Sequence, residues 1–175
     1  MQKPIVIWFT GLSGAGKSTL ANALHQHFKK EKIKSIVLDG DELRKGINSN
    51  LGFSEQDRTE NIRRAAEISK LFLKENYIVL SAFISPLAQM RELAKEVIGA
   101  NSFLEIFVNC SLKTCENRDV KGHYKNVRNN KLANFTGIHQ QYEAPINPNI
   151  IINTEENDLA QSVKLVLDYL SSQAV

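Results

Sequence analysis

Short, continuous apolar runs recur along the chain, separated by longer stretches in which apolar residues return every three or four positions. An apolar run of about four to eight residues bounded by turn residues is typical of a strand buried on both faces, as in a parallel sheet. The sequence predicts five such strands, at residues 5–9, 35–38, 77–83, 103–108 and 149–153.

The stretches between these runs predict helices, because their apolar residues fall on one face at a period near 3.6. The first predicted helix runs from the loop after the first strand to about residue 30. The second runs from about 57 to 75, with Ser54 or Asp57 as its N-cap. Further helices are predicted to begin at Pro86 and to span residues 112–118 and 157–172. The alternation of strands and helices indicates an α/β fold, a parallel sheet with right-handed crossovers and helices on both faces. No repeat or linker divides the chain, so residues 1–175 are predicted to form one domain.

Residues 120–148 do not follow this pattern, since they are polar, contain two glycines and two prolines and show weak periodicity. A segment of this length without a clear element is usually functional or disordered. It combines positive charges with aromatic rings, namely Lys121, Lys125, Arg128, Lys131, Tyr124, Phe135 and Tyr142. Such side chains suit phosphates and a base, so we expect a mobile lid over a nucleotide; plain disorder is the alternative.

The composition limits the partners of the protein. The formal net charge of +3 over 175 residues suits small anionic substrates and is too weak to indicate nucleic-acid binding. No stretch approaches the roughly 20 apolar residues of a membrane span, so no membrane association is expected. Cys110 and Cys115 are not accompanied in the sequence by further metal-ligating residues, and their number and spacing do not indicate a disulfide framework. With no secretory leader recognisable at the start of the chain, we expect a cytoplasmic protein.

The loop between the first strand and the first helix fits the phosphate-binding pattern G-x-x-x-x-G-K-[ST]. Its glycines let backbone N–H groups converge on phosphate oxygens, and the following helix adds the positive end of its dipole. Lys17 brings a charge to the transferred phosphoryl group, and the Ser18 hydroxyl can ligate Mg²⁺. The predicted ATP-binding residues of this loop are Gly11, Leu12, Ser13, Gly14, Ala15, Gly16, Lys17, Ser18 and Thr19.

Two carboxylates, Asp39 and Asp41, follow the second predicted strand and flank Gly40. Ligands bind at the carboxyl ends of parallel strands, so we expect this pair beside the phosphate loop. One aspartate there could be only a helix cap, whereas two around a glycine favour metal and proton handling. We expect Asp39 to act with Ser18 at Mg²⁺, and Asp41 to accept or orient the proton of an acceptor hydroxyl.

Arg58, Asn61 and Arg64 share one face of the predicted helix at 57–75. Such residues are ordinarily solvated. Because they follow a loop on the ligand side of the sheet, binding of a polyanion is the functional alternative.

The phosphate loop and several further sequence blocks, in the order in which they occur along the chain, resemble the adenylylsulfate (APS) kinase family over nearly the whole chain. The phosphate loop alone defines only a superfamily, whereas the remaining blocks are highly specific. They are residues 38–41, 51–54 with 57–58, 60–64, 83–86 with Arg91, 115–119, 121–124, 135–138 and 142–145.

This resemblance implies a three-layer P-loop kinase fold, with strand order 2-3-1-4-5 and a lid. It implies Mg²⁺-dependent transfer of the γ-phosphoryl group of ATP to the ribose 3′-hydroxyl of adenosine 5′-phosphosulfate (APS), which gives the 3′-phosphorylated product (PAPS). The partners would be small nucleotide substrates, and a homodimer is possible.

The resemblance also implies roles for single residues. Phe53 and Phe135 would sandwich the base of the acceptor, and Arg44, Arg58 and Asn61 would hold its 5′ phosphosulfate side. Further members of the acceptor site are Ile84, Ser85 and Lys121, and further ATP-binding residues are Arg118 and Arg128. Beside Asp39, Asp41 and Lys17, Ser85 would be catalytic as a phosphoserine, although direct in-line transfer needs no covalent intermediate.

The chain departs from the family pattern in the lid and near the acceptor site. Asn130 replaces a glycine, His139 an acid, Gln141 a proline and Leu87 an aromatic residue. Neutral drift in surface loops explains such changes, and a changed acceptor is the alternative. The same 3′-phosphorylation of a cytidine diphosphate-type acceptor, such as cytidine diphosphoramidate in capsule modification, stays open because base stacking is not base-specific. A nucleotide-binding switch is remote, since residues 130–133 lack the acid of the guanine-reading motif N-K-x-D.

Overall fold

All five predicted strands are present in the computed structural model, which describes residues 3–173. They are β1 (Val6–Thr10), β2 (Ser35–Asp39), β3 (Ile78–Ala82), β4 (Phe103–Asn109) and β5 (Ile150–Asn153). Neighbouring strands are parallel, and their order across the sheet is β2-β3-β1-β4-β5. The α/β class and the strand order 2-3-1-4-5 are therefore confirmed.

Helices connect the strands along the described part of the chain. They are α1 (Lys17–Lys30), α2 (Gly40–Lys45), α3 (Glu55–Lys74), α4 (Ala88–Ile98), α5 (Leu112–Arg118), α6 (His123–Arg128) and α7 (Leu159–Ser172), with a 3₁₀ turn at Ala100–Ser102. None of these helices combines the length and the apolar character that crossing a bilayer would require.

The start of α3 and the presence of α2 follow from helix caps. The Ser54 side chain accepts a hydrogen bond from the backbone N–H of Asp57, so α3 begins at Glu55. Asp39 caps α2 in the same way, because its Oδ1 accepts from the backbone N–H of Asp41 at 2.9 Å. With only six residues, α2 is too short for a periodic apolar pattern and was not predicted.

The starts of α4 and α7 lie later than predicted. Leu87 is still extended, with φ −104° and ψ 145°, so α4 begins at Ala88 and Pro86 stays outside the helix. At α7, Asp158 and Gln161 form a reciprocal capping box, which places the first helical residue at position 159.

Two hydrophobic clusters flank the sheet. The first packs α1 and α7 against one face, with Leu24, Phe28 and Val166 in its interior. The second packs α3 and α4 against the other face, around Trp8 and Met90. Every residue of β1 and β3 is buried, as continuous apolar runs in central strands require.

The segment at 120–148 contains an element that its weak periodicity did not predict. In α6, Tyr124 and Val127 are buried in the first cluster. Phe135 and Thr136 are also buried, and the Tyr124 and Phe135 rings meet edge to face with centroids 4.9 Å apart. The expectation of a segment without an element was wrong for this stretch, while its mobility stays a prediction.

Candidate active site

The phosphate loop connects β1 to α1, and its path depends on glycine. At Gly11, φ is +149°, and a Cβ atom would lie only 2.4 Å from the carbonyl oxygen of Val108 in β4. Gly16 caps α1 with φ at 106°, in the left-handed region. A side chain at Gly11 would therefore push the loop off β4 and away from the start of α1.

Lys17 is held inside this loop. Its Nζ donates hydrogen bonds to the carbonyl oxygens of Gly11, at 2.9 Å, and Leu12, at 2.7 Å. Burial and the positive charge of Lys121 lower the pKa of Lys17 to about 8. Phosphate oxygens in the loop would favour the ammonium form, so this lysine can respond to an anion with a change of protonation.

Ser18 and Asp39 form the candidate metal site. The Ser18 hydroxyl donates to Oδ2 of Asp39 at 2.5 Å, across the first turn of α1 and the end of β2. A hydroxyl and a carboxylate are hard oxygen donors, and Mg²⁺ usually takes one or two protein ligands together with phosphates and waters. No cluster of three or more His, Cys, Asp or Glu side chains within residues 3–173 offers an all-protein metal cage. The donor set therefore fits a Mg²⁺ ion that is shared with a nucleotide.

Asp41 lies in the first turn of α2 and forms an ion pair with Lys121 from the lid segment. Burial raises the pKa of Asp41, but the hydrogen bond and charge of Lys121 outweigh this effect, and the resulting pKa lies below the ordinary value. Asp41 is therefore ionised at neutral pH and can accept a hydrogen bond from a hydroxyl group.

An aromatic and cationic wall forms the other side of the site. Phe53 is 45% exposed, whereas Phe135 is only 8% exposed. The guanidinium groups of Arg44 and Arg58 lie 4.5 Å and 5.5 Å from the centroid of the Phe53 ring. Burial and the nearby Arg44 lower the pKa of Arg58 to about 10, so Arg58 stays positive at neutral pH. Burial also lowers the pKa of Arg44 from the ordinary value of an arginine. This wall offers stacking surface beside fixed positive charge.

Ser85 lies in the turn that follows β3 and has a left-handed backbone conformation, with φ at 39°. It is 2% exposed, and its hydroxyl accepts a hydrogen bond from Nε1 of Trp8 at 3.2 Å. Arg91 donates to its carbonyl oxygen at 2.9 Å, and Thr10 donates to the carbonyl oxygen of Ile84 at 2.7 Å. The turn is therefore held from β1 and α4, with its side chain at the wall of the cavity.

These groups line a cavity of about 280 Å³. The cavity brings together all the predicted catalytic and acceptor-site residues, which are Lys17, Asp39, Asp41, Ser85, Arg44, Phe53, Arg58, Asn61, Ile84, Lys121 and Phe135. From the phosphate loop and the start of α1, it also includes Ser13, Gly14, Gly16, Ser18 and Thr19. Residues that lie as far apart in sequence as Ser13 and Phe135 thus share one cavity.

Five predicted ATP-binding residues do not line this cavity. Gly11 and Ala15 are buried in the loop, and Leu12 packs against the first hydrophobic cluster. Arg118 instead donates to Oγ1 and the carbonyl oxygen of Thr154, at 3.0 Å and 2.7 Å.

Arg128, the fifth of these residues, forms a two-point ion pair with Glu116 at 2.7 Å and 2.9 Å. Arg118 remains close to the phosphate loop, since Thr154 also donates to the carbonyl oxygen of Ala15. The nucleotide contacts of both arginines stay predictions.

Some contacts of the site had no signal in the sequence. The Tyr124 hydroxyl donates to the carbonyl oxygen of Ser13 at 2.9 Å, so α6 holds the phosphate loop directly. Arg58 donates to the carbonyl oxygen of Asn134 at 2.7 Å. Both acceptors are backbone groups, which every residue carries, and only the fold selects them.

A phosphate loop, a candidate metal-binding oxygen pair and an aromatic and cationic wall around one cavity indicate an ATP-dependent phosphotransferase of the P-loop kinase class. Comparisons with known proteins agree with this class. A family model described as adenylylsulphate kinase matches residues 3–153. The chain belongs to the adenylyl-sulfate kinase family.

Individual relatives cover almost the full chain. The adenylyl-sulfate kinase of Pseudomonas aeruginosa is 50% identical over 171 residues, which are 98% of this chain and 87% of that protein. The adenylyl-sulfate kinase of Vibrio parahaemolyticus is 50% identical over 174 residues, which are 99% of this chain and 85% of that protein. Among solved structures, the Mycobacterium tuberculosis APS kinase CysC in complex with AMPPNP and APS has a TM-score of 0.93 at 38% identity, covering 98% of this chain and 99% of that one.

Proposed function

We propose that this chain transfers the γ-phosphoryl group of ATP to the ribose 3′-hydroxyl of adenosine 5′-phosphosulfate. One observation carries the proposal. The Ser18–Asp39 pair and the Phe53–Arg58 wall open into the same cavity, so a phosphoryl donor and an anionic nucleotide acceptor can be held face to face. The identity of the acceptor follows from relatives that are about half identical over nearly the full chain.

Each group has a role that its surroundings support. The phosphate loop binds the donor phosphates through backbone N–H groups, and Lys17 neutralises charge on the transferred group. Ser18 and Asp39 would hold Mg²⁺, which supplies charge neutralisation on the phosphates when bound. Positioning of this kind supplies roughly 7–11 kcal/mol of the barrier reduction in well-oriented reactions.

On the acceptor side, the Phe53 ring stacks on the base and Arg58 binds the 5′ anion. Asp41 accepts a hydrogen bond from the 3′-hydroxyl and orients its oxygen toward the γ-phosphorus. Lys121 forms an ion pair with Asp41. An acceptor hydroxyl therefore has to displace Lys121 or bind to Asp41 beside it. Closure of the segment at 120–148 excludes water, whose attack would waste ATP.

Ser85 is not required as a phosphorylated intermediate in this scheme. Its hydroxyl is 2% exposed and bonded to Trp8, and in-line transfer proceeds directly between the two nucleotides. We assign Ser85 the role of shaping the wall of the acceptor site. Mg²⁺ dependence, a cytoplasmic location and a homodimeric state belong to the same proposal.

The test is a coupled assay of ADP release with a panel of acceptors. We expect rapid release with APS and slow release with cytidine 5′-diphosphate and cytidine diphosphoramidate. The cytidine arm is included because His139, a departure from the family pattern, accepts a hydrogen bond from the backbone N–H of Phe135. A strong preference for a cytidine acceptor would overturn the APS assignment, and ADP release without any acceptor dependence would favour a switch.

A further inference from the structure

A buried asparagine lies behind the acceptor wall, in the turn between α2 and α3. Asn48 has no exposed surface, and its Nδ2 donates a hydrogen bond to Oδ1 of Asn61 at 2.9 Å. The backbone of Asn48 is also fixed, because its N–H donates to Leu43 and its carbonyl oxygen accepts from Leu51. Asn48 therefore has one defined position from which to act on Asn61.

Stability alone does not explain an asparagine at this position. The Oδ1 atom of Asn48 is buried and has no hydrogen-bond partner within residues 3–173. A buried amide oxygen without a partner is unfavourable, and an apolar side chain of similar size would avoid this cost. The Asn48 amide instead provides its Nδ2 group, which donates the hydrogen bond to Asn61.

The hydrogen bond from Asn48 selects the orientation of the Asn61 amide. An asparagine amide has an acceptor end and a donor end, and rotation about its last bond exchanges them. Because Oδ1 of Asn61 is engaged by Asn48, its Nδ2 is the end left for the cavity that Asn61 lines. Arg58, one helical turn earlier on α3, lines the same cavity and is positively charged. Both side chains thus present donors.

We propose that Asn48 is a positioning residue, which fixes the Asn61 amide with its N–H donors toward the anionic group of the acceptor nucleotide. The proposal rests on the proposed function, since it requires an acceptor with a negatively charged 5′ group. A phosphosulfate or diphosphate offers only hydrogen-bond acceptors, so an inverted Asn61 amide would oppose it with a carbonyl oxygen. Asn48 acts through Asn61 and does not touch the acceptor itself.

The first test is Asn48→Asp, which keeps the shape of the side chain but replaces its donor by an acceptor. When the new carboxyl is ionised, the Asn61 amide turns, because its Nδ2 is the only end that can bond to a carboxylate. Burial raises the pKa of a carboxyl, so the variant and the parent protein are compared from pH 7 to pH 9. We expect KM for APS to rise about tenfold or more, the range typical of losing a hydrogen bond to a charged group. We expect kcat and KM for ATP to change less than about twofold, since the phosphate loop is untouched.

Two controls separate orientation from charge and from folding. Ser49→Asp adds the same charge at the neighbouring exposed position and should leave KM for APS unchanged. Asn48→Leu removes both the donor and the oxygen without a partner, so the Asn61 amide is released but not inverted. This variant should raise KM for APS less than Asn48→Asp does, because a released amide can still turn its N–H donors toward the acceptor.

A double-variant cycle decides whether the effect passes through Asn61. In an Asn61→Ala background, Asn48→Asp should produce no further rise in KM for APS. A rise that persists in that background, or equal losses for APS and ATP with a lower melting temperature, would overturn the proposal. The kinetics are measured with whichever acceptor the parent protein prefers, so the proposed function can fail on the panel while the Asn48 effect is still decided.

Discussion

At the scale of single residues, the reactive groups of this kinase are already engaged by protein partners. Lys17 donates to two carbonyl oxygens of its own loop, and Asp41 is paired with Lys121. In the proposed reaction, substrates would therefore bind by exchanging partners, with phosphate oxygens replacing the carbonyl oxygens at Lys17 and a hydroxyl replacing Lys121 at Asp41. The protonation of each group depends on which partner it has.

The lowered pKa of Lys17 predicts that nucleotide binding depends on pH. With a pKa of about 8, Lys17 is mostly an ammonium below pH 8 and mostly neutral above it. Phosphates favour the ammonium and raise this pKa, so binding at pH 8.5 should take up as much as about 0.8 proton. Affinity for ADP should fall as pH rises above 8. Calorimetry in two buffers with different ionisation enthalpies measures the uptake.

Lys17→Arg provides the control for this prediction. A guanidinium group does not lose its proton in this pH range, so the variant should bind ADP without proton uptake. Equal proton uptake in the variant would show that another group is responsible.

Asp41→Asn tests the carboxylate that we propose to face the acceptor hydroxyl. The amide keeps the size of the side chain but is a weaker acceptor and cannot take a proton. We expect turnover of APS to fall by about 10²–10⁴-fold, the usual contribution of such a group, while ADP affinity changes little. Steady-state kinetics and ADP titration measure the two quantities. Turnover close to that of the parent protein would remove Asp41 from this role.

At the scale of elements, the end of the lid segment is tied to the start of α4. The N-cap residue Leu87 has no side chain that could cap the helix, and Glu143 fills this role. Its Oε2 accepts from the N–H of Ala88 at 2.7 Å, and its own N–H donates to Pro86 at 2.8 Å. Tyr142 adds a hydrogen bond to Thr10 at 3.0 Å. The segment at 120–148 is therefore joined by hydrogen bonds to β1 and to the residues that follow β3.

Glu143→Ala should loosen this junction. Loss of a helix cap costs about 1 kcal/mol, so the free energy of unfolding should fall by this amount in a urea titration. Hydrogen exchange should become faster in residues 140–148 and at the start of α4.

Glu143→Gln is the matched variant, since its amide oxygen can still accept from Ala88. It should retain most of the stability that Glu143→Ala loses. Identical losses in the two variants would mean that the charge, and not the cap, matters at this position.

At the scale of the whole molecule, the cavity is built from segments that the sheet brings to one edge. The phosphate loop follows β1, Asp39 ends β2 and the turn at Ile84 and Ser85 follows β3. Parallel strands place these three carboxyl ends side by side, because β1 pairs with β3 and β3 pairs with β2. Residues of the segment at 120–148 also line this cavity. A bound nucleotide would therefore link several separate parts of the chain.

Nucleotide binding should accordingly stabilise the whole fold. ADP at about 100 times its dissociation constant adds about 2.7 kcal/mol, which corresponds to about 5–10 °C in melting temperature for a chain of this size. Differential scanning fluorimetry measures the shift. Adenosine is the matched control, because it lacks the phosphates that the loop binds and should produce a much smaller shift. An equal shift with both ligands would contradict a phosphate-centred site.

The parts of the structure that sequence patterns predicted are those that depend on neighbouring residues. Continuous apolar runs located the five strands. β1 and β3 are buried at every position, whereas the edge strands β2 and β5 carry apolar runs although they are partly exposed. The phosphate loop was recognisable because its glycines, Lys17 and Ser18 are contiguous. Short elements and boundaries were less predictable, because α2 and the start of α4 depend on single caps and on the extended backbone of Leu87.

Tertiary structure alone decided which distant residues meet. Lys121 reaches Asp41 across 80 positions, and Arg58 reaches Asn134 across 76. The orientation of the Asn61 amide by Asn48 is likewise visible only in the folded chain. Local patterns determine which segments are strands, helices and phosphate-binding loops because those properties reside in adjacent residues. Partners for the charged and amide groups are chosen only by packing, because any donor in the chain could satisfy any acceptor until the fold brings one of them within reach.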